Sequence, residues 1–239
     1  MGAKVQQTLS DLFHVSPATY TLSMNNNAFA RKIAGKQVQV LEQIKMAPVK
    51  HVDESGFRIG GRTSWLHVLS TQTATHYRVS EKRKDLEPLQ GMSGVLVHDH
   101  LKSYFQVQGV EHALCNAHHL RELKAMIEID KEGWAARLDR LLRAAGSMTN
   151  IPVDCLSELY DNIVAEGLAF HAKLVPLNAA SRKRRPGHNL LLRLQGFKEA
   201  VLRFATNSAV PFTNNLAEQD IRMMKVKQKI SGGFRYGWR

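Results

Sequence analysis

The spacing of apolar residues changes along the chain and divides it into a helical beginning, a strand-rich middle and a helical end. In residues 5–46 apolar side chains recur at intervals of three and four, as from Leu9 to Leu12 and to Phe13. The pattern continues at Phe29, Ile33 and Val40, which are four and seven residues apart. This spacing is typical of an amphipathic helix. Pro48 ends the pattern because proline cannot continue a helix. The first segment is therefore predicted to be helical.

From residue 49 onward, short apolar and alternating runs replace the helical spacing and predict β-strands. The pair Gly60-Gly61 predicts a turn between the first two strands. The run Val95-Leu96-Val97 is apolar throughout, which suits a strand that is buried on both faces. The predicted strands cover residues 51–53, 65–69, 76–79, 95–97 and 113–115.

Helical spacing returns at Asn116 and continues through most of the remaining chain, interrupted by a basic loop at 178–187. The order of helices, strands and helices predicts an α/β fold, in which a mixed sheet is flanked by helices. Four parts are expected, with a helical insertion placed before the last helix of the core. They are an N-terminal helical segment (1–47), the first part of the core (48–129), the insertion (130–204) and the final part of the core (205–239).

The composition of the chain indicates what kind of partner it binds and in which cellular compartment it is expected. The chain has 239 residues, and its 33 Lys and Arg against 21 Asp and Glu give a formal net charge of +12. Such an excess favours a polyanionic partner such as double-stranded DNA. Two cysteines do not make a disulfide framework, and neither a membrane span nor a signal-peptide core is visible. We therefore expect a cytoplasmic or nucleoid-associated protein without a membrane partner.

Three acidic residues stand where a catalytic site is expected. Asp53 and Asp99 each close an apolar run, and Glu218 begins a late basic helix. Mg²⁺ prefers carboxylate oxygens, and phosphodiester cleavage often uses two ions about 3.5–4 Å apart. We predict that these carboxylates converge, within about 4–6 Å, to hold Mg²⁺ or Mn²⁺ for catalysis.

Basic residues near these acids predict contacts with DNA phosphates. At about 100° per residue, Arg222, Lys225 and Lys229 share one helix face with Glu218. His118 and Arg121, near the start of an earlier helix, are expected to face the cleft or the DNA backbone. For the densest cluster, a solvated loop and a phosphate-binding loop are equally compatible with the pattern. This cluster consists of Arg182, Lys183, Arg184 and Arg185.

The same residues have simpler interpretations, which the pattern leaves open. Asp53 is also suited to begin a turn over 53–56, and Asp99 to cap the end of a strand. Glu218 is also suited to a capping box at the start of its helix.

Cys115, with His118 and His119, suggests either half of a zinc site or a small core residue. A zinc hydrolase built on His98, His100 and Cys115 is a further alternative.

Four segments in order resemble the DDE transposases of the insertion sequence sixty-six family. Segments 51–58 and 98–104 resemble the first and second acidic motifs, and 213–229 resembles the third. Segment 115–123 is similar to the Cys/Ala/His/Arg signature of that family. The resemblance covers nearly the whole chain.

The resemblance implies a ribonuclease H-like core that cleaves transposon ends and joins them to target DNA with divalent metal. It implies that Asp53, Asp99 and Glu218 are the metal ligands, and that active relatives pair transposon ends as dimers or larger assemblies. Ser55, His100 and Gln219 depart from the pattern, and the chain is expected to be a shortened copy. A remnant that binds DNA without cutting it is therefore the alternative function.

Overall fold

The computed structural model describes residues 35–174 and 184–230, and a five-stranded sheet lies at its centre. From one edge to the other, the strands follow the order β3-β2-β1-β4-β5. β1 pairs antiparallel with β2 and β2 with β3, whereas β1, β4 and β5 run parallel to one another. The strands are β1 (Val49–Ile59), β2 (Arg62–Ser70), β3 (Thr75–Ser80), β4 (Gly94–His98) and β5 (Val110–Leu114).

Seven α-helices lie within the described residues. The first, α1, is described over 35–46. The others are α2 (Asn116–Ala125), α3 (Gly133–Ser147), α4 (Val153–Lys173), α5 (Pro186–Gly196), α6 (Lys198–Thr206) and α7 (Asn215–Ile230). The α/β class predicted from the sequence is confirmed, and this mixed sheet is consistent with a ribonuclease H-like core.

Glycines shape the two connections that set the sheet. Gly60 and Gly61 have positive φ angles of 54° and 78°, which allow the tight turn between β1 and β2. Gly94 begins β4 with φ of 73°, and a Cβ there would lie 2.6 Å from the carbonyl oxygen of Pro48. The backbone of β4 therefore approaches the start of β1 more closely than any side chain allows.

Apolar side chains cover both faces of the sheet. On one face Val97 and Ala113 share a core cluster with Leu138 and Leu191 from the later helices. On the other face Val52 and Leu96 pack in a cluster with Ile44 of α1 and Tyr104. The helices of the 130–204 segment therefore share a core with the sheet, and the four-part division of the chain remains a prediction.

The predicted elements agree with the structure except for the length of β1, predicted over 51–53 but observed over Val49–Ile59, and the helix that follows β5. All five predicted strands and the Gly60-Gly61 turn are present. The helix expected over 116–129 ends at Ala125 and continues as a π-helical turn, Met126–Asp130. Lys131 closes that turn in the left-handed conformation, with φ of 56°.

The predicted helical segment before residue 35 lies outside the described residues. Among the helices of residues 35–174 and 184–230, none is long and apolar enough to cross a bilayer.

Candidate active site

Asp53 and Asp99 lie beside each other where the parallel pairing of β1 and β4 ends. His51 pairs with Val97 in this ladder, and the same register places Asp53 level with Asp99. Neighbouring strands are about 4.8 Å apart. Since side chains alternate between the two faces of a strand, both aspartates share the face to which His51 and Val97 belong.

The position of Asp53 within its strand differs from the expectation. The sequence suggested a strand end, with a turn over 53–56 as the alternative, and both are wrong. β1 continues to Ile59 because its second half pairs with β2, opposite Asp53 through Val68. Only the parallel pairing with β4 stops before Asp53. The strand therefore changes from two neighbours to one at this residue.

Helix α7 lies over β1 and β2, where apolar and polar contacts fix it. Ala217 and Ile221 are buried against Val68 of β2. The Asp220 carboxylate accepts hydrogen bonds from the hydroxyls of Ser70, at 2.6 Å, and Thr75, at 2.9 Å. Because these contacts reach β2 and β3 together, they set the position of α7 on the sheet.

Asn214, which is 1% exposed, connects the beginning of α7 to the strand that carries Asp53. Its side-chain amide donates to the Val52 carbonyl, and its Oδ1 accepts from His51 Nδ1, both at 2.9 Å. Its backbone N–H donates to Cys115 Sγ at 3.1 Å. The helix begins at Asn215, so Asn214 is its N-cap and Glu218 is the fourth helical residue rather than the third. The capping box considered above, with Asn215 as the N-cap, is therefore not formed.

Asp53 lies within reach of the charges of other acids. Burial is the main cause that raises the pKa of Asp53 from 3.8 to about 7, and the neighbouring charges of Glu54, Asp99 and Glu218 raise it further. A hydrogen bond from the Glu54 N–H to Asp53 Oδ1, at 2.9 Å, acts in the opposite direction. Asp53 is therefore a carboxyl group held among other acids with little solvent.

The Asp99 side chain is held by the backbone of the turn that follows it. Its Oδ1 accepts a hydrogen bond from the Leu101 N–H at 2.9 Å, which closes a turn directly after β4. Within residues 35–174 and 184–230, neither Asp53 nor Asp99 forms an ion pair with a lysine or arginine. The local excess of negative charge is thus not balanced by a basic side chain at these two residues.

Glu54 is a neighbouring acid that the sequence analysis missed. Its carboxylate accepts a hydrogen bond from the Tyr104 hydroxyl at 2.6 Å and forms an ion pair with Arg83 at 3.0 Å. Burial raises the pKa of Glu54, and the charge of Asp99 raises it further. Its place directly after Asp53 was the only signal in the sequence, because Tyr104 is 50 residues away.

Glu218 points toward the start of α2. Its Oε1 lies 3.7 Å from Cys115 Sγ, from His118 Nδ1 and from an Arg121 guanidinium nitrogen. The sequence-based expectation that His118 and Arg121 lie near the cleft thus agrees with their positions beside Glu218. Their predicted contact with DNA remains a prediction.

The zinc alternatives receive different support. Cys115, His118 and Glu218 offer ligand atoms within 4.8 Å of one another, whereas His119 instead bonds Asn116 in the interior. His98 is buried against His112, and the His100 ring packs on Phe197. Among the described residues, neither of these histidines joins a group able to hold a metal with Cys115.

The predicted DNA-binding residues lie in different environments. Arg222 and Lys229 of α7 are exposed, but Lys225 is half-buried and donates a hydrogen bond to the Gly56 carbonyl. Lys225 therefore also fixes α7 to β1. Of the basic cluster, the exposed Arg184 precedes α5 and Arg185 forms its N-terminal cap, while Arg182 and Lys183 lie outside the described residues.

A mixed five-stranded sheet flanked by helices, with acidic residues at two neighbouring parallel strands and on a late helix, is consistent with a ribonuclease H-like core. The sequence profile described as "Transposase IS66 family" matches residues 4–238. This chain belongs to that family of transposases, as the resemblance indicated. No curated protein matches the chain. Membership implies an enzyme class that cuts and transfers DNA, and DDE transposases generally use divalent metals.

Proposed function

We propose that this chain is the catalytic region of a DDE transposase that cuts DNA at insertion-sequence ends and joins those ends to target DNA. Asp53, Asp99 and Glu218 are the proposed ligands of Mg²⁺ or Mn²⁺. The observation that carries the proposal is the register of the sheet, in which Asp99 is level with Asp53, together with the docking of α7, which brings the charge of Glu218 within reach of Asp53. Three acids from distant parts of the chain therefore share one electrostatic environment.

The residues present fit a divalent cation. A carboxyl group that is buried beside other carboxylates, as Asp53 is, binds a cation more readily than an isolated one, because the ion offsets the repulsion. Within the described parts of the chain, Asp53 and Asp99 have no basic ion-pair partner that would offset this repulsion. Bound divalent ions supply charge stabilisation to both the attacking and the leaving oxygens of a phosphoryl transfer.

The protein would contribute position and electrostatics to this reaction. Asp53 is fixed by the ladder between β1 and β2, and Asp99 by its turn to Leu101. Glu218 depends on the docking of α7, which Asn214 and Asp220 hold against the strands. Supports on rigid elements keep the ligands in place without a cost of reorganisation during the reaction.

DNA is the proposed substrate, and the positive charge of the chain favours it. Arg222 lies about one turn from Glu218 on the same helix, so a phosphate that reaches it lies near the acids. Lys229 lies roughly 16 Å further along this helix than Glu218 and would contact the DNA beyond the acids. We propose that two chains pair at least as a dimer when two transposon ends are joined. The proposed place of action is the cytoplasm.

A cleavage assay tests the catalytic assignment. The full chain is incubated with DNA that carries transposon ends, in Mn²⁺, and compared with the variant Glu218→Gln. Glutamine keeps the shape of the side chain but removes the charge, so we expect cleavage to fall by at least about 100-fold. Glu158→Gln is the matched control, since Glu158 is exposed on α4, away from the site.

The outcomes separate the enzyme from the DNA-binding remnant. Cleavage that is equal in wild type and Glu218→Gln would refute Glu218 as a ligand. A wild type that binds DNA but never cuts it, in Mg²⁺ or Mn²⁺, would favour the remnant. Loss of cleavage in Glu158→Gln as well would indicate a nonspecific effect of the substitution.

A further inference from the structure

We infer that Cys115, His118 and Glu218 form a second, thiolate-containing metal site that is selective for zinc-like ions and inhibits the enzyme when it is filled. The three side chains come from the end of β5, the first turn of α2 and the first turn of α7. The binding part of this inference stands alone. The inhibition part rests on the proposed function of Glu218.

The spacing of the ligand atoms suits a tetrahedral ion. Ligands about 2.0–2.3 Å from zinc are separated from one another by roughly 3.3–3.8 Å in a tetrahedron. Glu218 Oε1 lies 3.7 Å from both Cys115 Sγ and His118 Nδ1. All three ligand atoms lie within 4.8 Å of one another. Small side-chain rotations are therefore enough to bring them to one ion.

The histidine provides a second, independent observation. His118 Nδ1 is buried and has no hydrogen-bond partner among the described residues, although its ring edge is partly exposed. A buried nitrogen without a partner costs free energy that a metal ion would recover. Because this atom points toward Glu218, an ion placed there would also contact the carboxylate.

The ligand types determine which ion binds. Thiolate and imidazole favour zinc, cobalt and cadmium, whereas magnesium takes oxygen ligands. Burial raises the pKa of the Cys115 thiol, and the Asn214 N–H, 3.1 Å from Sγ, acts in the opposite direction by stabilising negative charge on the sulfur. On binding, the thiol proton passes to solvent and the sulfur forms the bond to the metal. A fourth position remains for water, as in zinc sites with three protein ligands.

Arg121 competes with the ion for Glu218. One guanidinium nitrogen lies 3.7 Å from Glu218 Oε1, and it also contacts His118 Nε2 at 3.4 Å. A metal on Nδ1 requires the ring proton on Nε2, so Arg121 must turn away. Its side chain is 62% exposed and can do so. Removing this guanidinium should therefore strengthen metal binding, which distinguishes this site from a cysteine that binds metal elsewhere.

Filling this site would withdraw Glu218 from the other two acids. A carboxylate that coordinates an ion beside Cys115 no longer offers the same charge to Asp53 and Asp99. A zinc-like ion would then inhibit a reaction that Mg²⁺ or Mn²⁺ supports. Zinc thus acts as an inhibitor of the site proposed above, through the ligand that both arrangements share.

Cobalt provides the test of binding, since Co²⁺ bound to a thiolate absorbs strongly in the near ultraviolet. The full chain is titrated with Co²⁺ in excess Mg²⁺, and the same titration is made with four variants. We expect one Co²⁺ per chain in wild type and in Cys155→Ser, which removes the exposed second cysteine. Cys115→Ser should lose the absorption. The affinity of His118→Gln for Co²⁺ should fall by more than roughly 10-fold relative to wild type, because losing even an outer-shell partner of a metal ligand costs roughly 10-fold.

The fourth variant, Arg121→Gln, should bind Co²⁺ more tightly than wild type. Unchanged absorption in Cys115→Ser, or its loss in Cys155→Ser, would overturn the site. If Cys115→Ser does not fold, judged by circular dichroism, His118→Gln and Arg121→Gln decide the question, because both positions are partly exposed. Unchanged affinity in these two variants would overturn the site equally.

The inhibition part is measured in the Mn²⁺ cleavage assay. One equivalent of Zn²⁺ should inhibit wild type and Cys155→Ser, and His118→Gln should resist it, each relative to its own activity without zinc. Zinc that binds without inhibiting would overturn the regulatory role. If no variant cleaves DNA but the cobalt absorption behaves as expected, the proposed function fails while the metal site stands.

Discussion

Replacing Asp53 by Asn should stabilise the metal-free protein at neutral pH. The raised pKa means that burial and nearby acids oppose the ionised form of Asp53 in the folded state. Asparagine has almost the same shape, and its carbonyl oxygen still accepts the hydrogen bond from the Glu54 N–H. The substitution therefore removes the unfavourable charge while it preserves the local contact.

The sign and size of the stability change follow from the pKa values of Asp53 in the folded and unfolded states. The folded-state pKa, about 7, lies above the ordinary value of 3.8. The folded protein thus binds more protons in this range, and its stability falls as the pH rises from about 4 to about 7. At about 1.4 kcal/mol for each pKa unit, the loss is on the order of 4 kcal/mol above pH 7. The Asp53→Asn variant should not show this loss of stability, and below pH 4 its stability should differ little from that of wild type.

Urea denaturation at several pH values, without metal, measures this difference. Asp130→Asn is the matched control, because Asp130 is exposed and should show no comparable gain. Mn²⁺ should narrow the difference in stability, since an ion that binds only the folded state stabilises it by about 2.7 kcal/mol at 100 times its dissociation constant, and should cancel it near 1,000 times that constant, where the stabilisation is about 4.1 kcal/mol. Wild type should gain this stability, and Asp53→Asn should gain much less.

Two results would refute the reasoning. One is an Asp53→Asn protein that is less stable than wild type at pH 8 without metal, which would mean that Asp53 is not repelled by its neighbours. The other is equal stabilisation of both proteins by Mn²⁺, which would mean that Asp53 is not a ligand.

Three further predictions concern the support of the site and its substrate. Asp220→Ala should lower the free energy of unfolding, measured in urea, by about 2–3 kcal/mol, because two hydroxyl hydrogen bonds to a carboxylate are lost. An unchanged urea midpoint would exclude the role of Asp220 in holding α7 on the sheet. Gly94→Ala should lower the free energy of unfolding by more than about 2 kcal/mol, since its φ of 73° and the Pro48 carbonyl both oppose a Cβ. Gly133→Ala is the control and should be neutral or stabilising, because a Cβ there would have nothing within 4 Å. Arg222→Gln should weaken DNA binding and reduce the slope of log affinity against log salt by about 0.9, and an unchanged slope would show that Arg222 contacts no phosphate.

Local pattern was sufficient for the class of fold and for most element positions. The change from helical to alternating spacing identified the strands, because the side-chain period of a strand does not depend on its partners. The length of β1 was not predictable in this way. Its continuation past Asp53 to Ile59 depends on pairing with β2, and that pairing is a contact between separate segments.

The same distinction between local pattern and contacts of separate segments applies to the residues of the site. The acids were identified by residue type and by resemblance, and their roles as ligands remain predictions. The sequence did not indicate that Lys225 bonds the Gly56 carbonyl, since 169 residues separate them. It equally gave no reason to connect Glu54 with Tyr104. Both contacts exist because separate elements pack together, and no local periodicity encodes them.

By itself, the sequence determined the order of the elements, the net positive charge and the family signature, because these depend on residue identity and short-range spacing. Only the tertiary structure decided which groups surround each acid. Cys115 lies 103 residues before Glu218, and the two meet because α7 packs over β1 and β2 while Asn214 bonds both β1 and Cys115. Such neighbours follow from the packing of distant segments against one sheet, which burial of apolar surface drives and which no single segment specifies.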